Sequence, residues 1–147
     1  MGVRLITGIY FLLLLIMSVE DYKSCRVNNL WVLCMWLLGL IKIVVIKENR
    51  WVTVALTCIC FTLLWLLYFL VSRNARRFKT VLHFGGADVK LIPAMMLVRG
   101  WDKALTGVFV GLLFSLVFYL GMRKKEIPLI PWMTIGSVLV EIIYLFS

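Results

Sequence analysis

Long apolar runs restrict the fold of this chain more than any other feature of its sequence. A membrane-spanning helix needs roughly 20 apolar residues to cross about 30 Å of hydrocarbon. Five runs approach this length, and we predict helices at about 4–20, 28–46, 51–71, 104–121 and 129–146. Hydrophobic residues make up 63% of the 147 residues, more than a soluble domain of this size can bury. The sequence therefore predicts an all-α, polytopic membrane helix bundle.

A sixth segment, at 80–100, differs from these runs. It is moderately apolar, but Gly85-Gly86-Ala87-Asp88 and then Pro93 interrupt it. Its apolar part, 89–98, is too short to span a bilayer at about 1.5 Å per residue. We therefore predict about six membrane segments, with an irregular fourth one that is broken or partly re-entrant and shielded from lipid. We find no linker, so residues 1–147 are predicted to form a single membrane-embedded domain.

The basic residues predict an orientation and argue against nucleic-acid binding. The net charge is +9, and Lys and Arg lie at the ends of apolar runs, where they direct topology and attract anionic headgroups. With the N-terminus outside, ten of them fall on the cytoplasmic side and six on the outer side, which favours N-out, C-out. The sequence has no basic patch interleaved with aromatic residues, so no nucleic-acid partner is predicted.

The cysteines and the single histidine do not predict a metal site. Cys58 and Cys60 are two residues apart within a predicted helix, and no C-x-x-C pair accompanies them. His83 has neither a matching nucleophile nor metal-ligand partners. We therefore expect no metal and no other cofactor.

Asp21 and Asp88 are the acidic residues that most need an explanation. An ionisable group inside a membrane segment costs about 2.5–3.5 kcal/mol on insertion scales. Asp21 closes the first helix and Asp88 lies in the glycine-rich break, so the predicted topology puts both at the cytoplasmic face. Two carboxylates brought together can share one proton, so that one activates water while the other polarises a carbonyl. Spacing alone leaves proton transport and helix capping open.

The other acids are less informative. Glu48, Asp102 and Glu126 are predicted to lie in loops beside Lys or Arg. Glu141 lies within the last apolar run and receives no predicted role beyond a buried polar contact.

Three motifs resemble those of a known family. The segment Gly85-Gly86-Ala87-Asp88-Val89-Lys90-Leu91 resembles the GxGDxKL motif of type IV prepilin peptidases, which are GxGD membrane aspartyl proteases. Asp21 with Val27-Asn28-Asn29 resembles that family's first catalytic aspartate and the Ile-Pro-Asn triplet after it. The stretch 126–131, with Pro128 and Pro131, is similar to an Ile-Pro-Phe-x-Pro stretch before the last helix. Ala87, Asn28 and Leu129 depart from these patterns without removing a catalytic group.

The resemblance implies a compact membrane aspartyl endopeptidase with Asp21 and Asp88 as its catalytic pair. The motif positions that would support this pair are Gly85, Gly86, Ala87, Lys90, Asn29, Pro128 and Pro131. The implied substrate is a prepilin-like precursor, a type IV pilin or pseudopilin, whose short leader is cut before its hydrophobic helix. Cleavage is expected at the cytoplasmic face of a bacterial inner membrane, with lipid as the other partner.

Many members of that family also methylate the new N-terminus, using an extra cytoplasmic region with a four-cysteine metal site. This sequence shows no such region, so we expect a peptidase without N-methyltransferase activity. Two alternatives stay open: a non-catalytic accessory protein that binds pilin-like helices or assembles a secretion system, and a small proton-coupled carrier. The sequence leaves the oligomeric state open.

Overall fold

The described part of the chain is entirely helical apart from its turns. The computed structural model describes residues 2–24, 27–45, 50–74, 86–122 and 128–146, without the side chains of 50, 71–74, 86–88 and 119–122. The helices are α1 (Gly2–Ser24), α2 (Asn29–Val45), α3 (Arg50–Asn74), α4 (Gly86–Arg99), α5 (Trp101–Met122) and α6 (Ile130–Phe146). These ranges contain no strand, so the predicted all-α bundle is confirmed.

The outer surface of the bundle is apolar, as a membrane protein requires. Three helices, α1, α3 and α5, are long and apolar enough to cross a membrane. Both α2 and α6 are apolar but shorter, at 17 residues each. Large hydrophobic side chains are exposed along these helices, and α3 buries very little of its surface. Lipid is the solvent that suits such faces. Among the described residues, three helices are long enough to cross a bilayer, so six crossings stay a prediction.

The centre of the bundle is α4, the segment predicted to be irregular. It contacts α1, α2, α3 and α5, and every residue from Leu91 to Val98 is buried. A helix that is apolar on all sides belongs inside a protein rather than on its surface. Its 14 residues are fewer than a bilayer crossing needs, and the surrounding helices cover its backbone.

Pro93 does not break α4. The helix begins at Gly86, in agreement with the predicted glycine-rich break, but it continues through Pro93, so the predicted second interruption is wrong. Proline removes the N–H that would bond the carbonyl four residues earlier and crowds that turn. Close packing on all sides stabilises the helix there. Near the same turn, the indole Nε1–H of Trp36 bonds the carbonyl of Lys90 over 3.1 Å.

The direction of α4 follows from its contacts with α2. Trp36 bonds the carbonyl of Lys90 near the start of α4, and Lys42 donates to the carbonyl of Val98 near its end, over 2.6 Å. The two helices therefore run parallel. Because α2 follows α1 through a short turn and returns alongside it, α1 and α4 run in opposite directions.

The turn from α4 to α5 consists of Gly100, whose φ of 90° lies in the left-handed region that glycine adopts readily. This short turn places Asp102 in the first helical turn of α5, so its predicted loop position is wrong. An acidic side chain interacts favourably with a helix N-terminus, which explains its position there. Glu48 and Glu126 lie outside the described residues.

Small residues bring α5 and α6 close together. A Cβ on Gly136 would overlap the carbonyl oxygen of Gly107, and one on Gly111 would lie 2.6 Å from the carbonyl oxygen of Trp132. Glycines spaced by one helical turn allow helix backbones to approach in membrane proteins. This contact fixes α6 against α5 and, with it, the start of α6 near the end of α1.

Candidate active site

Asp21 is buried where the end of α1 meets the start of α6. Its side chain is 7% exposed, and Oδ2 accepts a hydrogen bond from the backbone N–H of Ile130 over 3.0 Å. Ile130 is the first residue of α6, and the first N–H groups of a helix have no acceptor within it. Asp21 therefore caps α6 from another helix, at the end whose dipole favours negative charge.

The proline-containing stretch before α6 shapes this contact. Pro128 precedes the helix, and Pro131 is its second residue. Proline suits the first helical turn, where its missing N–H has no intrahelical acceptor, and its ring fixes φ. The two prolines restrict the backbone on either side of Ile130, whose N–H donates to Asp21. The structure brings this motif and Asp21 together, a contact that sequence spacing did not predict.

The residue before Asp21 has a structural role. Glu20 accepts the indole Nε1–H of Trp31 over 2.9 Å and the backbone N–H of Asn28 over 3.3 Å. Asn28 in turn accepts the N–H of Leu30 through Oδ1, over 3.0 Å, as an N-cap does. Asparagine thus has a capping function at the position where the resembled motif has proline. Asn29 begins α2 and is exposed.

The second predicted aspartate lies at the start of α4. Gly86 and Ala87 are the first two residues of this helix and Asp88 is the third, so its backbone lies at a helix N-terminus as predicted. Gly85 and the side chain of Asp88 lie outside the described part of the structure. Lys90 is partly buried, and its carbonyl accepts the hydrogen bond from Trp36.

A contact between Tyr10 of α1 and Arg99 of α4 relates the positions of the two aspartates along their helices. The guanidinium carbon of Arg99 lies 5.6 Å from the ring centroid of Tyr10. Asp21 is eleven residues after Tyr10 and Asp88 is eleven residues before Arg99, on helices of opposite direction. Eleven residues of α-helix rise about 16 Å and complete about three turns. We therefore expect the backbones at 21 and 88 to lie at similar levels, and their pairing stays a prediction.

The described residues contain no group of three or more His, Cys, Asp and Glu that could hold a metal ion. His83 lies outside the described residues. The ionisable groups at the starts of α4 and α6 are the carboxyl groups of Asp88 and Asp21, each at a helix N-terminus.

Comparison with known protein families shows that the model of the type IV leader peptidase family matches residues 8–120. The matched range includes Asp21 and Asp88, and it ends before the stretch that contains Pro128 and Pro131. Comparisons with curated proteins and with solved structures give no significant match.

Proposed function

We propose the following activity for this chain, which belongs to the type IV leader peptidase family. It is an aspartyl endopeptidase in which Asp21 and Asp88 act together on one peptide bond. The observation that carries the proposal is the environment of Asp21, a buried carboxylate held by the N–H of Ile130. The register of α1 and α4 supports Asp88 as its partner, since both residues lie eleven positions from the Arg99–Tyr10 contact.

In the proposed reaction the two carboxyl groups share one proton. The ionised carboxylate takes a proton from water, and the water oxygen bonds to the scissile carbonyl carbon. The protonated carboxyl gives its proton to the carbonyl oxygen, which relieves the negative charge of the tetrahedral intermediate. When the intermediate collapses, the C–N bond breaks, the amine nitrogen takes up the proton from the protonated carboxyl, and a hydroxyl proton of the intermediate passes to the other carboxylate, which restores the shared proton. The N-terminus of α4 at Asp88 favours the ionised form of that carboxyl.

The proposed substrate is a prepilin-like precursor with a short basic leader and a hydrophobic helix. Its helix would enter the bundle from the lipid, which places the leader junction at the membrane face. The distribution of Lys and Arg supports a cytoplasmic site in the bacterial inner membrane. We further propose that the chain cleaves the leader without methylating the new N-terminus.

Cleavage of a leader-bearing precursor by the purified full-length chain in lipid nanodiscs tests the proposal. General acid–base groups supply about 10²–10⁴-fold of rate each, so Asp21→Asn and Asp88→Asn should abolish most cleavage. Asp102→Asn, the same chemical change in the first turn of α5, is the matched control and should cleave normally. Equal cleavage by wild type and both variants, or none by any of them, would overturn the assignment.

The same preparation separates the alternatives. An accessory protein would retain the precursor in a pull-down and leave its leader intact. A proton-coupled carrier would show uptake that depends on a pH gradient across vesicles.

A further inference from the structure

A second polar cluster lies at the opposite end of α1 and α4 from Asp21 and Asp88. It joins three helices and consists of Thr7, Tyr10, Arg99, Ser137 and Glu141. Arg99 and Glu141 form an ion pair, with side chains 9% and 25% exposed. Arg99 also donates to Oγ1 of Thr7 over 3.5 Å, and the Tyr10 hydroxyl donates to Oγ of Ser137 over 3.4 Å. Glu141, which had no predicted role, therefore has a charged partner.

Aromatic rings complete the surroundings of Arg99. Its guanidinium carbon lies 5.6 Å from the ring centroid of Tyr10 and 5.4 Å from that of Phe11. A guanidinium group is planar and directional, so it accepts ring faces and a carboxylate only in a narrow range of positions. The last residue of α4 is thus held by α1 on one side and by Glu141 of α6 on the other.

We propose that the Arg99–Glu141 ion pair positions the active site, because it fixes the register of α4 against α1 and α6 and keeps Asp88 level with Asp21. This inference rests on the proposed function. Arg99 and Glu141 are positioning residues, since about three helical turns separate them from the carboxylates.

The ion pair adds a charged contact that depends on level to the apolar packing of α4. Residues 91–98 are apolar and buried, and the close approach of Leu97 to Gly39 of α2 leaves no room for a Cβ there, so this packing also depends on register. The polar contacts with α2 go to the carbonyls of Lys90 and Val98, and a helix presents a carbonyl at every residue. Arg99 has a carboxylate partner in Glu141 at one position along α6. A shift of α4 by one turn would separate these two poorly solvated charges.

Thiol cross-linking measures this register directly. The experiment uses the full-length chain in nanodiscs with its four native cysteines replaced and with cysteine pairs introduced at 21 and 88, or at 21 and 92. Position 92 is about one helical turn further along α4. With Arg99 and Glu141 intact, a short bifunctional thiol reagent should link 21 to 88 at least about tenfold faster than 21 to 92.

The informative variant is the double substitution Arg99→Met with Glu141→Met. Replacing a buried ion pair by apolar side chains of similar size often preserves folding, so the variant is expected to stay folded. We expect its preference for 88 over 92 to fall below about threefold, since a charged contact that depends on level is lost. With both aspartates intact, its kcat should fall about tenfold while KM changes less than about twofold.

Two further variants separate positioning from general effects. Arg99→Lys keeps the positive charge and should recover part of the cross-linking preference and of kcat. Lys103→Met removes another cation, whose Nζ lies 4.3 Å from the ring centroid of Tyr144, without touching Arg99 or Glu141. It should leave both readouts unchanged.

The outcomes distinguish this inference from the proposed function. A folded double variant that keeps both the preference for 88 and its kcat would overturn the inference, as would an unsubstituted pair that shows no preference for 88. Cross-linking needs no cleavage, so a chain that cuts no precursor would refute the proposed function while the register of α4 is still measured.

Discussion

The backbone N–H of Ile130 donates a hydrogen bond to Oδ2 of Asp21 over 3.0 Å, which joins the end of α1 to the start of α6. Both residues are buried, at 0% and 7% exposure, so little water competes for the bond. A hydrogen bond to a charged group contributes about 1.5–3 kcal/mol. This contact therefore holds the carboxylate in one orientation and ties the proposed active site to the packing of α6.

Ile130→Pro should lower leader cleavage by about 10- to 100-fold, because proline at this position has no N–H to offer Asp21. The backbone itself should tolerate proline, since the first residues of a helix lack an intrahelical acceptor. Initial rates with a leader-bearing precursor in nanodiscs measure the effect.

Ile130→Val is the matched control for that prediction. It removes one methylene group from the same buried site and costs about 0.5–1.5 kcal/mol of stability, but it keeps the N–H. Cleavage should stay within about threefold of wild type, a change well below that expected from losing a bond to a charged group. If valine reduced cleavage as much as proline, packing of residue 130 would matter and its N–H would not.

Most helices can be predicted from the sequence because a membrane-spanning helix needs a run of apolar residues long enough to cross the lipid. Agreement is poorer where polar side chains find their hydrogen-bond partners on other helices. The predicted first run ends at about 20, but α1 continues to Ser24, and Glu20 and Asp21 in its last turns accept hydrogen bonds from Trp31 and Ile130. A hydropathy profile includes the cost of placing such acids in a membrane, but it contains no information on their hydrogen-bond partners in other helices.

α4 and Glu141 also depend on contacts with other helices. Pro93 looks like a helix interruption in sequence, but neighbours on all sides hold the helix through it. Glu141 pairs with a residue of another helix, so its role depends on the register of α4 and α6. The motifs located Asp21 and Asp88 on the two helices that carry them, and their catalytic pairing stays a prediction.

Gly136→Ala should destabilise the bundle by about 1–3 kcal/mol, because the new methyl group would overlap the backbone carbonyl of Gly107. Backbone atoms cannot move aside without displacing α5 or α6. Since α6 begins beside Asp21, cleavage should fall as well. Thermal unfolding in detergent micelles, followed by circular dichroism, measures the loss.

The control for the glycine prediction is Gly8→Ala on α1. A Cβ at this position meets no atom within 4 Å, and alanine favours helix over glycine by up to about 1 kcal/mol. The melting temperature should therefore stay the same or rise. A loss equal to that of Gly136→Ala would show that close approach of α5 and α6 is not the cause.

Trp31→Phe should destabilise the α1–α2 turn by about 1–2 kcal/mol, because Glu20 loses the indole N–H that it accepts over 2.9 Å. Trp51→Phe is the matched control, since this tryptophan is 86% exposed and its substitution should change the melting temperature little. A double-mutant cycle of Trp31→Phe with Glu20→Gln isolates the contact, and we expect a coupling energy of at least about 0.5 kcal/mol. Strictly additive effects would mean that Glu20 holds the start of α2 through the N–H of Asn28 alone.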